Sequence, residues 1–157
     1  MYLLGYTRVS PEERSNFARS HTIQELQLKK YCELYNHKLT AIIQDLGVKV
    51  SVPLEKRPGG RELIERLLAG EAAGLLIQQL DRAFAVTPES LIIADRLNRQ
   101  GISVHSVSEQ INTAAPMGWY YLSLVVANAG LGHQDVQEHC GNYGPRVNVG
   151  LGQPDLS

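Results

Sequence analysis

Tyr2-Leu3-Leu4-Gly5-Tyr6-Thr7-Arg8-Val9-Ser10 opens the chain and decides its fold class. A short apolar run ending in polar residues reads as a buried strand of a parallel sheet. Alternation along a strand sends Arg8 and Ser10 to the same side. Serine can attack an electrophile, and the planar guanidinium fork of arginine holds phosphate. On its own, a serine at this place is more simply a helix cap or loop hydroxyl.

Outward from this strand, strand and helix signals alternate, which predicts an α/β fold. Pro11 to His21 is polar and reads as a mobile loop. Thr22 and Glu25 have capping-box spacing, followed by an apolar helical face of Ile23, Leu26, Tyr31, Leu34 and Tyr35. Leu39–Gln44 reads as a strand and Asp45–Pro58 as a long loop. Gly60–Leu68 is a short helix, Ala72–Gln78 a strand and Asp81–Thr87 a loop. Pro88 starts a helix that Gly101 stops. Ile102–Val107 is a fourth strand, and Pro116 starts an apolar helix reaching about Ala129. From Cys140 the tail is rich in Gly, Asn and Pro and is expected to be poorly ordered.

The 157 residues suffice for one domain. The expected division is a folded unit over 1–132 and a tail over 133–157, without a separate DNA-binding domain. No apolar run reaches a membrane span, and no signal peptide is expected. Two cysteines, Cys32 and Cys140, make no disulfide framework, which suits a cytoplasmic setting. Net charge is −1, and Arg146 is the one Lys or Arg after Arg99, so the last third offers little attraction to phosphate. His133, His139 and Cys140 lack the further ligands that would complete a metal site. Gly59-Gly60 reads as a turn, and Trp119, Tyr120 and Tyr121 as packing residues of an apolar helix.

Ligands on open α/β sheets gather at the carboxyl ends of strands. Three polar clusters fall there: Arg8 with Ser10, Asp45, and Asp81 with Arg82. In the same order along about 120 residues, the chain resembles the catalytic domain of the serine recombinases, the resolvase and invertase family. The resemblance is carried by Tyr6-Thr7-Arg8-Val9-Ser10, Gln24, Arg57-Pro58, Leu80-Asp81-Arg82, Gly101–Val107 with Glu109, and Thr113 with Pro116-Met117-Gly118. It implies a doubly wound, mostly parallel sheet with a long C-terminal dimerisation helix. It also implies Ser10 as nucleophile toward a DNA phosphodiester, with Arg8, Arg57 and Arg82 around the phosphate. Asp81 and Gln24 complete the expected site. No cofactor or metal is expected, since guanidinium groups supply the positive charge.

The chain departs from the family pattern at four places. Ala85 replaces a second arginine of the Leu-Asp-Arg signature, and Val48-Lys49 stand near a missing Ser-Gly. Arg14 replaces a loop glutamine, and Gly130-Leu131-Gly132-His133-Gln134 replaces a charged helix segment. All four fall on active-site or DNA-facing positions, so the expectation is a kept fold with impaired chemistry. DNA would bind weakly to this chain alone. The expected partner is a second copy, or an intact recombinase in a mixed oligomer. The alternative is a catalytically inactive oligomerisation or regulatory module. A small-molecule phosphate hydrolase fits poorly, since no Gly-rich phosphate loop or metal carboxylate set is present.

Overall fold

The computed structural model describes residues 1–85 and 88–129. A five-stranded sheet organises them, built from β1 (Tyr2–Val9), β2 (Lys38–Leu46), β3 (Gly74–Ile77), β4 (Ser103–Ser106) and β5 (Ile111–Asn112). The spatial order is β2-β1-β3-β4-β5. The first four strands run parallel, and the short β5 returns antiparallel to β4. That fifth strand was not anticipated; two residues are too few for a periodicity to register.

Helices α1 (Phe17–Tyr35), α2 (Pro58–Leu68), α3 (Leu80–Ala83), α4 (Pro88–Arg99) and α5 (Pro116–Ala129) connect and cover the strands. Alternation along the strands feeds two cores. Leu3 and Leu76 pack with Leu28 and Cys32 of α1 on one face. Leu4, Tyr6, Leu75 and Ile77 pack with Leu63 and Leu67 of α2, Leu91 and Leu97 of α4, and Leu122 and Val126 of α5 on the other. The result is the expected mostly parallel α/β sheet with helices on both faces.

Three local expectations are corrected. The polar stretch after β1 is a 3-10 turn over Pro11–Asn16 that leads directly into α1. Thr22 therefore lies inside the helix, donating its hydroxyl to Ala18 O at 2.8 Å. The buried side of α1 is Gln24, Leu28 and Cys32, while Ile23, Leu26, Leu34 and Tyr35 are exposed. The polar Gln24 stands on the core-facing stripe, which displaced the sequence-based assignment of that stripe. The loop expected after β3 holds the single turn of α3.

Helix α5 buries Trp119, Leu122 and Val126 and leaves Met117, Tyr120, Tyr121 and Leu124 exposed. It is described to Ala129, so the length expected of a long dimerisation helix lies outside the described residues, as do Leu131 and the tail. None of the described helices is long and apolar enough to cross a membrane.

Candidate active site

The carboxyl end of β1 is fastened from two sides. Its neighbour across the sheet is β2, with Arg8 in register with Asp45. From α1, the buried Gln24 accepts from the Arg8 N–H at 3.2 Å and donates to the Arg8 carbonyl at 3.0 Å. One side chain thus satisfies both main-chain groups of Arg8, as a neighbouring strand would. Ser10 follows in extended conformation, φ −76° and ψ 161°, and leads into the 3-10 turn.

Asp45 lies deeper than a ligand-facing carboxylate. Its oxygens accept from the N–H groups of Gly59 and Gly60 at 2.8 and 3.0 Å, and from the Tyr6 hydroxyl at 2.7 Å. It therefore anchors the first turn of α2, where a carboxylate meets unpaired N–H groups and the positive end of the helix dipole. Gly59 and Gly60 are not a separate turn; they form that first helical turn. A Cβ on Gly60 would stand 2.0 Å from Leu54 O, so only glycine fits. Burial, then the hydrogen bond to Asp45, push the Tyr6 phenol well above its ordinary value.

Arg57, 1% exposed, enters beneath the site just before α2. It donates to Val52 O and Val50 O, to the Tyr6 hydroxyl, and to Arg82 O at 2.8 Å. Arg8, 4% exposed, donates to Arg82 O, Val48 O and Asp81 O at 3.2, 2.8 and 2.9 Å. The Arg82 carbonyl therefore receives both arginines. Burial, then the charges of Arg57 and Arg82, pull the Arg8 guanidinium below its ordinary value.

Arg82 itself donates through Nη1 to Arg8 O at 3.0 Å and reaches Glu13 Oε1 at 3.3 Å. Its buried Nε makes no hydrogen bond among the described residues and lies 4.0 Å from Asp81 Oδ1. The Asp81 side chain is about half exposed. Its main-chain carbonyl, rather than its carboxylate, meets Arg8. Ser10 donates its hydroxyl to the same Glu13 oxygen at 3.1 Å.

The structure thus gathers Ser10, Arg8, Arg57, Arg82 and Gln24 at one sheet edge. It leaves the Asp81 carboxylate at the rim. Glu13 escaped the sequence reading, and Glu109 was read there only as part of a motif, without a role. Glu13 stands three residues after Ser10, the same capping spacing that was read at Thr22 and Glu25. Glu109 receives the Leu80 N–H at 3.2 Å and the Ser106 hydroxyl, and so holds the start of α3. A groove of about 480 Å³ opens beside Arg57, bordered by Val50, Leu54, Phe84, Ala85 and Ile93. Arg14 is exposed on the 3-10 turn.

Chemically, a serine hydroxyl beside a guanidinium N–H can present a nucleophile and a phosphate donor to one anion. Residues 3–139 match the family model "Resolvase, N terminal domain". The chain is 27% identical over 127 residues to a DNA-invertase of Escherichia phage P1, covering 81% of this chain and 60% of that protein. It is 25% identical over 128 residues to the serine recombinase Gin of Escherichia phage Mu, covering 81% and 58%. It therefore spans about three-fifths of the length of these relatives. The N-terminal catalytic domain of TP901-1 integrase superposes with a TM-score of 0.67 at 25% identity, over 82% of this chain and 94% of that one. A resolvase family site-specific recombinase from Streptococcus pneumoniae shares the fold, with a TM-score of 0.65 at 15% identity over 93% and 97%. With a family model matched along most of its length and a sheet edge that gathers the serine and arginines of the motif, the chain belongs to the serine recombinase family, carrying its resolvase-type catalytic domain.

Proposed function

We propose that this chain is the catalytic part of a site-specific DNA recombinase that cleaves and rejoins DNA through Ser10. The observation that carries this reading is the single carboxylate oxygen reached by both the Ser10 hydroxyl and Arg82 Nη1. A phosphoryl oxygen suits the same two donors. In the reaction, Ser10 Oγ bonds to phosphorus, its proton is released, and the bond from phosphorus to a deoxyribose oxygen breaks. The departing oxygen takes up a proton. The phosphoserine link conserves the bond energy, so the reverse attack reseals DNA without an external energy source.

Arg82 is the guanidinium placed to meet the phosphate, with Arg8 and Arg57 supplying positive charge behind it. Gln24 is a positioning residue, holding Arg8 by its main chain. Asp81 acts at the rim, beside Arg82. No metal or cofactor enters this scheme. Ala85 removes one donor, and loss of a preorganised transition-state donor slows a reaction roughly 10²–10³-fold. DNA binding by this chain alone is weak and falls with salt, given its net charge of −1.

The test is covalent trapping with supercoiled DNA on denaturing gels. The natural chain is expected to give little or no adduct, and Ala85→Arg to raise it about tenfold or more, with Ser10→Ala abolishing it. Efficient Ser10-dependent cleavage by the natural chain would refute the impairment. An adduct that persists in Ser10→Ala would refute the nucleophile.

A second reading is an inactive oligomerisation or regulatory module that joins intact recombinases. The exposed apolar face of α5 favours it, and the same gels discriminate, since that module gives no adduct even with Ala85→Arg.

A further inference from the structure

Glu13 stands where Ser10 and Arg82 meet. Its Oε1 accepts from the Ser10 N–H at 2.9 Å and from the Ser10 hydroxyl at 3.1 Å, and lies 3.3 Å from Arg82 Nη1. Its Oε2 accepts from the Ser20 hydroxyl of α1 at 3.0 Å. A capping contact at the start of the 3-10 turn accounts for the Ser10 N–H alone. The Arg82 contact joins residues 69 apart in sequence, and the Ser20 contact comes from the following helix. The carboxylate is thus gripped by the end of β1, by α1 and by α3.

The donors that hold it are a main-chain N–H, two hydroxyls and a guanidinium, donor types that suit a phosphoryl group. Arg8 and Arg57 are buried and turn most of their N–H groups inward. Their hydrogen bonds run to the carbonyls of Val48, Val50, Val52, Asp81 and Arg82 and to the Tyr6 hydroxyl. A phosphodiester approaching Ser10 therefore meets a negative charge hydrogen-bonded to the nucleophile itself, and like charges at contact distance repel.

We propose that Glu13 is an internal anion that closes the Ser10–Arg82 site, and that a phosphate enters only by displacing it. The inference rests on the reading of Ser10 and Arg82 as the phosphate site. The displacement is mechanically cheap. Glu13 is about one-third exposed and sits on a six-residue 3-10 turn with no buried residue, so its side chain can turn to solvent without unpacking the core. Burial alone would raise the Glu13 carboxyl, but the Ser10 and Ser20 hydrogen bonds and the Arg82 charge overcome it and hold the group below the usual carboxylate range. It is therefore charged at neutral pH. A carboxylate so stabilised is a weak proton acceptor, which favours a blocking role over that of base toward Ser10.

Titration of the full chain with inorganic phosphate, followed through the Ser10 amide resonance, tests this. Glu13→Ala is expected to bind phosphate about tenfold or more tightly than the natural chain, as removal of a contacting like charge requires. Glu13→Gln keeps an oxygen to cap the Ser10 N–H and removes the charge, so it should share the gain even if Glu13→Ala folds poorly. Adding Arg82→Gln to either variant should abolish the gain. Equal, Arg82-dependent affinity in the natural chain and both Glu13 variants would overturn the block while leaving Ser10 and Arg82 as the phosphate site. Weaker binding in the Glu13 variants would overturn it too, since Glu13 would then help to build the site. No Ser10 response in any of these proteins would overturn both readings.

Discussion

Gln24 holds Arg8 by its main chain at both ends, accepting from its N–H at 3.2 Å and donating to its carbonyl at 3.0 Å. The amide comes from a helix, yet it completes the hydrogen bonding of a strand terminus. Removing a buried partner costs the desolvation of the groups left behind, about 1–3 kcal/mol each. The Arg8 carbonyl keeps its bond from Arg82 Nη1, so Gln24→Leu strands chiefly the N–H and should destabilise the fold by about 1–3 kcal/mol, read as a lower urea midpoint. A change within about 0.5 kcal/mol, typical of neutral surface positions, would show that Arg8 is held by its strand neighbours alone.

Gly60→Ala offers a test of sign. Helix propensity alone predicts a gain of about 1 kcal/mol. The new methyl would meet Leu54 O at 2.0 Å, a main-chain atom that cannot rotate away. The expected outcome is a loss of about 2 kcal/mol or more, within the range of overpacked sites. The first turn of α2 and the nearby Arg57 would be disturbed with it. A raised melting temperature would contradict the close approach of Leu54 and α2.

Acid should weaken the fold through His105. This ring is buried, bonded to the Tyr31 hydroxyl at 3.0 Å and to the Ser103 hydroxyl at 2.7 Å. Burial, then the charges of His37 and the Met1 amino group, lower its pKa to about 4. An unfolded histidine titrates near 6.5, so between these values the unfolded chain holds the extra proton. The stabilisation from keeping His105 neutral is whole above about 6.5 and is lost as pH falls toward 4, up to about 3 kcal/mol. His37 is also lowered, by burial first and then by the Met1 amino group, and adds in the same direction. Urea midpoints should fall across this window in the natural chain and more gently in His105→Gln. Parallel pH profiles in the two proteins would remove His105 as the source.

The outer face of α5 should associate with a second copy. Met117, Tyr120, Tyr121 and Leu124 are between 41% and 52% exposed, while Trp119, Leu122 and Val126 already pack into their own core. An apolar stripe rimmed by water marks an interaction surface. Sedimentation across the micromolar range should show a dimer that Tyr121→Glu with Leu124→Glu converts to monomer. A natural chain that stays monomeric at high micromolar concentration would refute self-association.

The strands and the starts of several helices are legible in the sequence for a local reason. Buried parallel strands must be apolar on both faces, and β1 and β3 carry that composition openly. Proline opens α2, α4 and α5, where its fixed φ suits the first turn and its missing N–H goes unused. Arg8, Ser10 and Arg82 could be named because each lies at or soon after the end of such a strand, while Arg57 and Gln24 were named through the family resemblance. The sequence could not say where their hydrogen bonds go. Arg8 and Arg57 bond to carbonyls contributed by the 48–52 loop and by α3, and Arg82 and Ser10 share one glutamate oxygen. The buried stripe of α1 escaped for the same reason, since Gln24 is inside only because the end of β1 requires its amide. Periodicity and punctuation are local properties that survive in a string of residues. The partner of a long polar side chain is chosen by whichever distant carbonyl or carboxylate the folded chain brings within 3 Å, and that choice exists only in the tertiary structure.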